Sequence, residues 1–282
     1  MDNISIITTH FYDFDWMRVW AKKIHENTEA WKIKEVLIIN QDRCEDSRRL
    51  LEKIYPGARI LQYPRNEEQF VHRGHDHAAV LNLAIGEATG EYICLFDSDC
   101  HPFSKNWLSI CEEILQSHDA IVAFDQFRFL VYSMQLSHPC FMVLRSEHVT
   151  IPLLFDAGFP QKRYDTGRLI GRQLEEAGNK VFYAKPSGCF RNFYGEIYLD
   201  SIYHHGQGSY AGGDDRLSRQ IGYRHRFFKN VVVKKGKYNI NDFEYLQFKA
   251  AAVKNYGYMK YLSEIPAKLL GKLFHNHQHN KE

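Results

Sequence analysis

Several features are missing from this chain of 282 residues, and each absence narrows what it can do. Its six cysteines, Cys44, Cys94, Cys100, Cys111, Cys140 and Cys189, form no C-x-x-C pair, and several fall in apolar, strand-like runs. That argues against zinc and redox motifs and for reduced core thiols in a reducing cytoplasm. No run of eighteen apolar residues occurs, and Met1-Asp2-Asn3-Ile4 has no basic leader region, so neither a membrane span nor a signal peptide is expected. Thirty-six basic against 34 acidic residues leave a formal charge of only +2, which gives nucleic acid no global field to follow. There is no Walker loop, no dinucleotide fingerprint, no repeat and no low-complexity linker.

What is present centres on Glu91-Tyr92-Ile93-Cys94-Leu95-Phe96-Asp97-Ser98-Asp99-Cys100-His101-Pro102. A short apolar run between Gly90 and Pro102 reads as a buried strand. Side chains alternate along a strand, so Asp97 and Asp99 leave it on one side and Ser98 on the other. Two carboxylates together at a strand's carboxyl end repel each other unless a cation lies between them. Oxygen ligands with open positions suit Mg²⁺ or Mn²⁺, which usually complete their shell with substrate phosphates. The plainer alternative makes one Asp a helix cap and the other a solvated side chain.

The rest of the chain supplies a frame. Strands are expected at Ile4–Thr8, Val36–Ile39, Ala58–Gln62, Ala120–Phe124 and Val181–Tyr183. Helices are expected up to about Glu26, around Leu50–Ile54, around Val80–Ile85, at Trp107–Leu115, and from Asp165 to a glycine cap at Gly178. Residues 127–145 are aromatic and β-prone and contain His138, which is either a contact for a bound molecule or a satisfied structural histidine. Ser201 to Asp215 carries four glycines and the pair His204-His205; it reads either as a disordered loop or as a flexible loop that closes on a phosphate or a metal. Neighbouring side chains in extended chain point apart, so only one of the two histidines could face the acids. From Tyr256 to Phe274 apolar residues recur at helical spacing among lysines, which describes a packed helix or a basic helix lying on an anionic membrane.

Gly74, the small-residue helix with Asn82, Ala88-Thr89-Gly90-Glu91-Tyr92-Ile93, the apolar strand and Asp97-x-Asp99 together resemble the nucleotide-sugar glycosyltransferases of family 2. The likeness is close over residues 74–102 and looser over the first 185 or so. It implies a GT-A fold: a Rossmann-like, mixed, mainly parallel α/β sheet flanked by helices, here residues 1–215, with a partly helical C-terminal extension over residues 216–282. It implies a UDP- or GDP-type sugar donor and a glycan or lipid-linked acceptor, in surface polysaccharide or glycolipid assembly. By position in the family pattern, Thr8, Thr9, Asn40 and Asp42 fall where base and ribose are held. Arg73 or His75 falls near the sugar or diphosphate, and Asp97 and Ser98 at the donor. Asp97 and Asp99, joined by His204 or His205, would hold Mn²⁺ or Mg²⁺. Asp165 falls at the general base of inverting members, although Tyr164 replaces the usual preceding acid; it is equally well placed as a helix N-cap. Two rivals carry different chemistry: a D-x-D phosphohydrolase, and a nucleotide-sugar binding module without turnover.

Overall fold

A computed structural model describes residues 1–11, 13–64, 73–125, 135–149, 152–155, 166–190, 194–206 and 245–247, with no side-chain placement for residues 73–76, 189, 190, 194 and 245–247. Two sheets share the described residues. The larger has seven strands: β1 (Ile4–His10), β2 (Ile33–Asn40), β3 (Arg59–Gln62), β4 (Tyr92–Phe96), β6 (Ala120–Phe124), β7 (Ser137–Arg145) and β8 (Val181–Ala184), in the order β3-β2-β1-β4-β7-β6-β8. Pairing is parallel except where β7 runs against β4 and β6. The helices are α1 (Phe14–Asn27), α2 (Glu45–Ile54), α3 (Arg73–Glu87), α4 (Trp107–Leu115) and α5 (Ile170–Glu176).

The strands are apolar on both faces because helices cover both. Alternate residues divide between two cores. Ile4, Ile6, Val36, Ile38, Cys94 and Phe96 pack with Trp20 and Ile24 of α1, Leu51 of α2 and Trp107 of α4. Ile7, Leu37, Ile39, Ile93 and Leu95 pack on the other side with Val80, Leu81 and Ala84 of α3 and Leu174 of α5. Gly90 lets the chain entering β4 pass against β1. A Cβ there would lie 2.5 Å from the Ser5 nitrogen and 2.6 Å from the Asn3 oxygen, both backbone atoms.

The smaller sheet is antiparallel, in the order β12-β9-β10-β11-β5, from β5 (Cys100–Pro102), β9 (Pro186–Phe190), β10 (Tyr194–Tyr198), β11 (Ile202–His204) and β12 (Tyr245–Gln247). It corrects one expectation: Ile202-Tyr203-His204 is not loop but a strand, paired with the three residues that follow the acid pair. The turn Asp97–Cys100 therefore joins the two sheets, and its closing bond runs from the Cys100 N–H to the Asp97 carbonyl at 2.9 Å. Of the expected C-terminal extension, residues 245–247 pair with β9; the amphipathic stretch from Tyr256 lies outside the described residues. Among the described residues no helix is long and apolar enough to cross a membrane.

Candidate functional site

The chain runs from β1 outward to β2 and β3, then returns to place β4 on the other side of β1. Such a reversal leaves a crevice at the carboxyl ends of the two strands, where open α/β sheets bind ligands. Asp97 and Asp99 follow β4 there, and Thr8, Thr9 and His10 end β1 there.

The turn is pinned on both sides. The Asp97 N–H donates to the Cys140 carbonyl of β7 at 3.0 Å, and the His205 N–H donates to the Asp99 carbonyl at 3.0 Å. The Ser98 hydroxyl donates to the buried carboxylate of Asp13, which lies between β1 and α1. Asp13 in turn lies 3.6 Å from His10 Nε2. Burial raises the Asp13 carboxyl above its ordinary value; His10, Ser98 and the Phe11 N–H pull it down, and Asp99 adds to the rise.

His204 is brought to the acids by the β11–β5 pairing. Its Nε2 lies 3.8 Å from Asp99 Oδ1, with both side chains almost wholly buried. One ligand atom from each of Asp97, Asp99 and His204 lies within 4.8 Å of the others. Burial alone would push the His204 imidazole down, but Glu196, Asp99 and Asp97 outweigh it and raise it above the ordinary histidine value. Two carboxylates with one imidazole suit Mn²⁺ or Mg²⁺ with positions left for phosphate oxygens. His205 turns the other way: its Nδ1 meets the Tyr203 hydroxyl at 2.9 Å, and its ring lies 4.8 Å from that of Trp16.

A second trio, His138, Cys140 and His204, is equally close-set. Its chemistry is poorer, because the Cys140 N–H already donates to His138 Nδ1 at 3.2 Å and burial pushes the Cys140 thiol well up. His101, in β5, is fully buried; burial, with Lys23 and His204 nearby, lowers it to about 3, so it stays neutral.

The expected base and ribose residues are partly committed to one another. Asn40 Oδ1 accepts from His10 Nδ1 at 2.9 Å and from the Asp42 N–H, while its amide donates to Ser47 Oγ at 2.7 Å. Asp42 does not cap α2; Cys44 holds that position, and Asp42 Oδ1 accepts the Cys44 N–H at 2.8 Å. Thr8 Oγ1 is buried with no hydrogen-bond partner among the described residues. Thr9 Oγ1 lies 3.5 Å from His77 Nε2, and that nitrogen is 3.7 Å from Asp97 Oδ1. His77 of α3 is thus a side chain brought to the acids. Arg73 and His75 begin the same helix, but their side chains lie outside the described residues, as does Asp165 altogether. Asp13 and Glu196 also escaped the sequence. The alternation of Tyr194-Gly195-Glu196-Ile197-Tyr198 was the available signal for the strand that carries Glu196.

A mainly parallel sheet with an acid pair at its reversal point defines an α/β protein with a candidate ligand site at the strand ends. More particularly, the chain belongs to glycosyl transferase family 2, whose model matches residues 5–148. The mixed, mainly parallel sheet flanked by helices is the arrangement expected from the likeness to that family. Comparison with curated protein sequences gives no match. Among solved structures, a mannosyltransferase from Pyrobaculum calidifontis, in complex with GDP-Man and Mn²⁺, is 14% identical with a TM-score of 0.46; the likeness covers 64% of this chain and 54% of that one. This chain therefore matches only about half the length of that enzyme. TarS from S. aureus, in complex with UDP-GlcNAc, is 12% identical with a TM-score of 0.48 over 86% of this chain and 77% of that one. The galactosyltransferase LgtC, in complex with donor and acceptor sugar analogs, is 12% identical with a TM-score of 0.46 over 64% of this chain and 73% of that one.

Proposed function

We propose that the protein transfers a sugar from a UDP- or GDP-type donor to a hydroxyl of a glycan or lipid-linked acceptor, with inversion at the anomeric carbon and dependence on a divalent cation. The observation that carries this reading is the convergence of Asp97, Asp99 and His204 at the reversal point of the sheet. These three residues would hold Mn²⁺ or Mg²⁺, which when bound neutralises charge developing on the diphosphate leaving group.

The chain's own residues have the other tasks. Thr8, Thr9 and the Asn40–Asp42 turn line the carboxyl ends of β1 and β2, where base and ribose would lie. The Ser98–Asp13 bond fixes the backbone of the acid turn, so that both carboxylates are oriented before the donor arrives. Preorganisation of that kind removes a reorganisation cost from the reaction step. Asp165 is proposed as the base that takes the acceptor proton as the new glycosidic bond forms.

The test is a panel of nucleotide-sugar donors with Mn²⁺, scored by release of nucleoside diphosphate with and without acceptor. Release that stops in excess chelator supports the reading. Full activity in chelator, or release of inorganic phosphate from simple phosphate esters, contradicts it. Donor binding without turnover would return the chain to a binding module.

A further inference from the structure

Glu196 is a buried carboxylate that none of these roles uses. It lies on β10 directly opposite His204 in the pairing of β10 with β11. Its Oε2 accepts the Tyr198 hydroxyl at 2.7 Å and lies 4.0 Å from His204 Nδ1. The other nitrogen of the same ring, Nε2, is the one that faces Asp99. The imidazole therefore spans two carboxylates: one in the candidate cation site and one behind it.

An independent feature of the backbone sets this arrangement. Gly195 has φ +63, and a Cβ there would lie 2.4 Å from Tyr203 Cε2 and 2.6 Å from the His204 carbonyl oxygen. Only a glycine lets β10 come this near to β11, and the next residue is Glu196. The close approach brings its carboxylate beside the ring. A buried carboxylate is costly unless a charge or donors answer it. Tyr198 supplies one donor, the His204 ring lies beside the carboxylate, and Arg168 supplies positive charge at longer range.

We propose that Glu196 is a positioning residue for His204: it holds Nδ1, turns Nε2 toward Asp97 and Asp99, and makes the imidazole a stronger ligand for the divalent cation. This rests on the reading of His204 as a ligand. Histidines that bind metal commonly give their other ring N–H to a carboxylate, and losing that partner typically costs 10–100-fold in metal affinity. Tyr198 fixes the carboxylate in turn. The unit thus runs Tyr198, Glu196, His204 and then the acid pair, with Tyr198 and Glu196 on β10 and His204 on β11.

The experiment is Mn²⁺ binding to the full chain, read from the free-ion EPR signal, with thermal midpoints for each variant. H204A should weaken Mn²⁺ binding most. E196A should weaken it about 10–100-fold. E196Q keeps the shape and an acceptor oxygen but not the charge, so it should fall between E196A and the wild type and should fold where E196A does not. The double variant H204A/E196A should bind no more weakly than H204A alone, because Glu196 acts only through the ring. Wild-type affinity in E196A or E196Q, with H204A weakened, overturns this proposal and leaves His204 a ligand. A double variant weaker than H204A by the full E196A factor also overturns it. Wild-type affinity in H204A overturns the ligand reading and this proposal together.

Discussion

His204 Nε2 lies 3.8 Å from Asp99 Oδ1, and the next residue, His205, donates its backbone N–H to the carbonyl of that same Asp99. One strand thus holds the acid pair twice, by side chain and by main chain, and sends its two histidines to opposite sides.

The first prediction separates those histidines. His204→Ala should raise the Mn²⁺ concentration needed for half-maximal donor turnover at least tenfold, on the order expected for loss of one ligand or its supporting partner. His205→Ala removes the partner of the Tyr203 hydroxyl and a ring packed on Trp16. It should lower the thermal midpoint by about 2–4 °C for each kcal/mol lost and leave the Mn²⁺ requirement alone. Activity titrations beside melting curves check both. Equal Mn²⁺ requirements in the two variants would count against the assignment.

The second concerns Asp13. Its carboxyl is raised in the folded protein, chiefly by burial. From the ordinary carboxylate range upward, the native state keeps a proton that the unfolded chain has released. Stability from this group is full below the unfolded value and is lost as pH rises through the folded one. Asp13→Asn can still accept the Phe11 N–H and can donate to Ser98, but it does not titrate. The variant's midpoint relative to the wild type should therefore climb as pH rises through that window and then level off. A difference that stays flat from about pH 4 to about pH 8 would show that Asp13 does not carry the shift.

How far the sequence carried depended on whether structure is set locally. Helix α4 and strand β6 fall where expected, because their apolar spacing is complete within a few residues and their neighbours cover both sheet faces. The acid pair was legible from the apolar run that makes β4, although the structure sets both acids in the turn after the strand rather than on its alternating faces. The second sheet was not. β5 and β11 are three residues each, and β9 and β10 hold glycine and proline; they are strands only through pairing, β9, β10 and β11 as neighbours in the chain and β11 with β5 far back in it. The choice between His204 and His205 depends on the distant β11–β5 pairing, the part of Glu196 on the neighbouring β10–β11 pairing, and the clamp of Ser98 by Asp13 on a side-chain contact between distant parts of the chain.

The third prediction concerns Asp165, proposed as the base; the helix expected to open at Asp165 begins at Ile170 instead, with Leu169 in the N-cap position. Asparagine keeps the shape of aspartate but cannot accept the acceptor's proton. Asp165→Asn should keep the thermal midpoint and the donor affinity while transfer falls by a factor on the order of 10²–10⁴. Transfer within a few-fold of wild type would remove Asp165 as the base.

The central claim is that Asp97, Asp99 and His204 hold a divalent cation against the donor diphosphate. Its most direct measurement is Mn²⁺ binding by the wild type and by Asp99→Asn, each with and without nucleoside diphosphate. The account predicts that the wild type binds Mn²⁺, that UDP or GDP tightens the binding, and that Asp99→Asn loses both effects while keeping its fold. Mn²⁺ affinity unchanged by Asp99→Asn and indifferent to either nucleotide would contradict it.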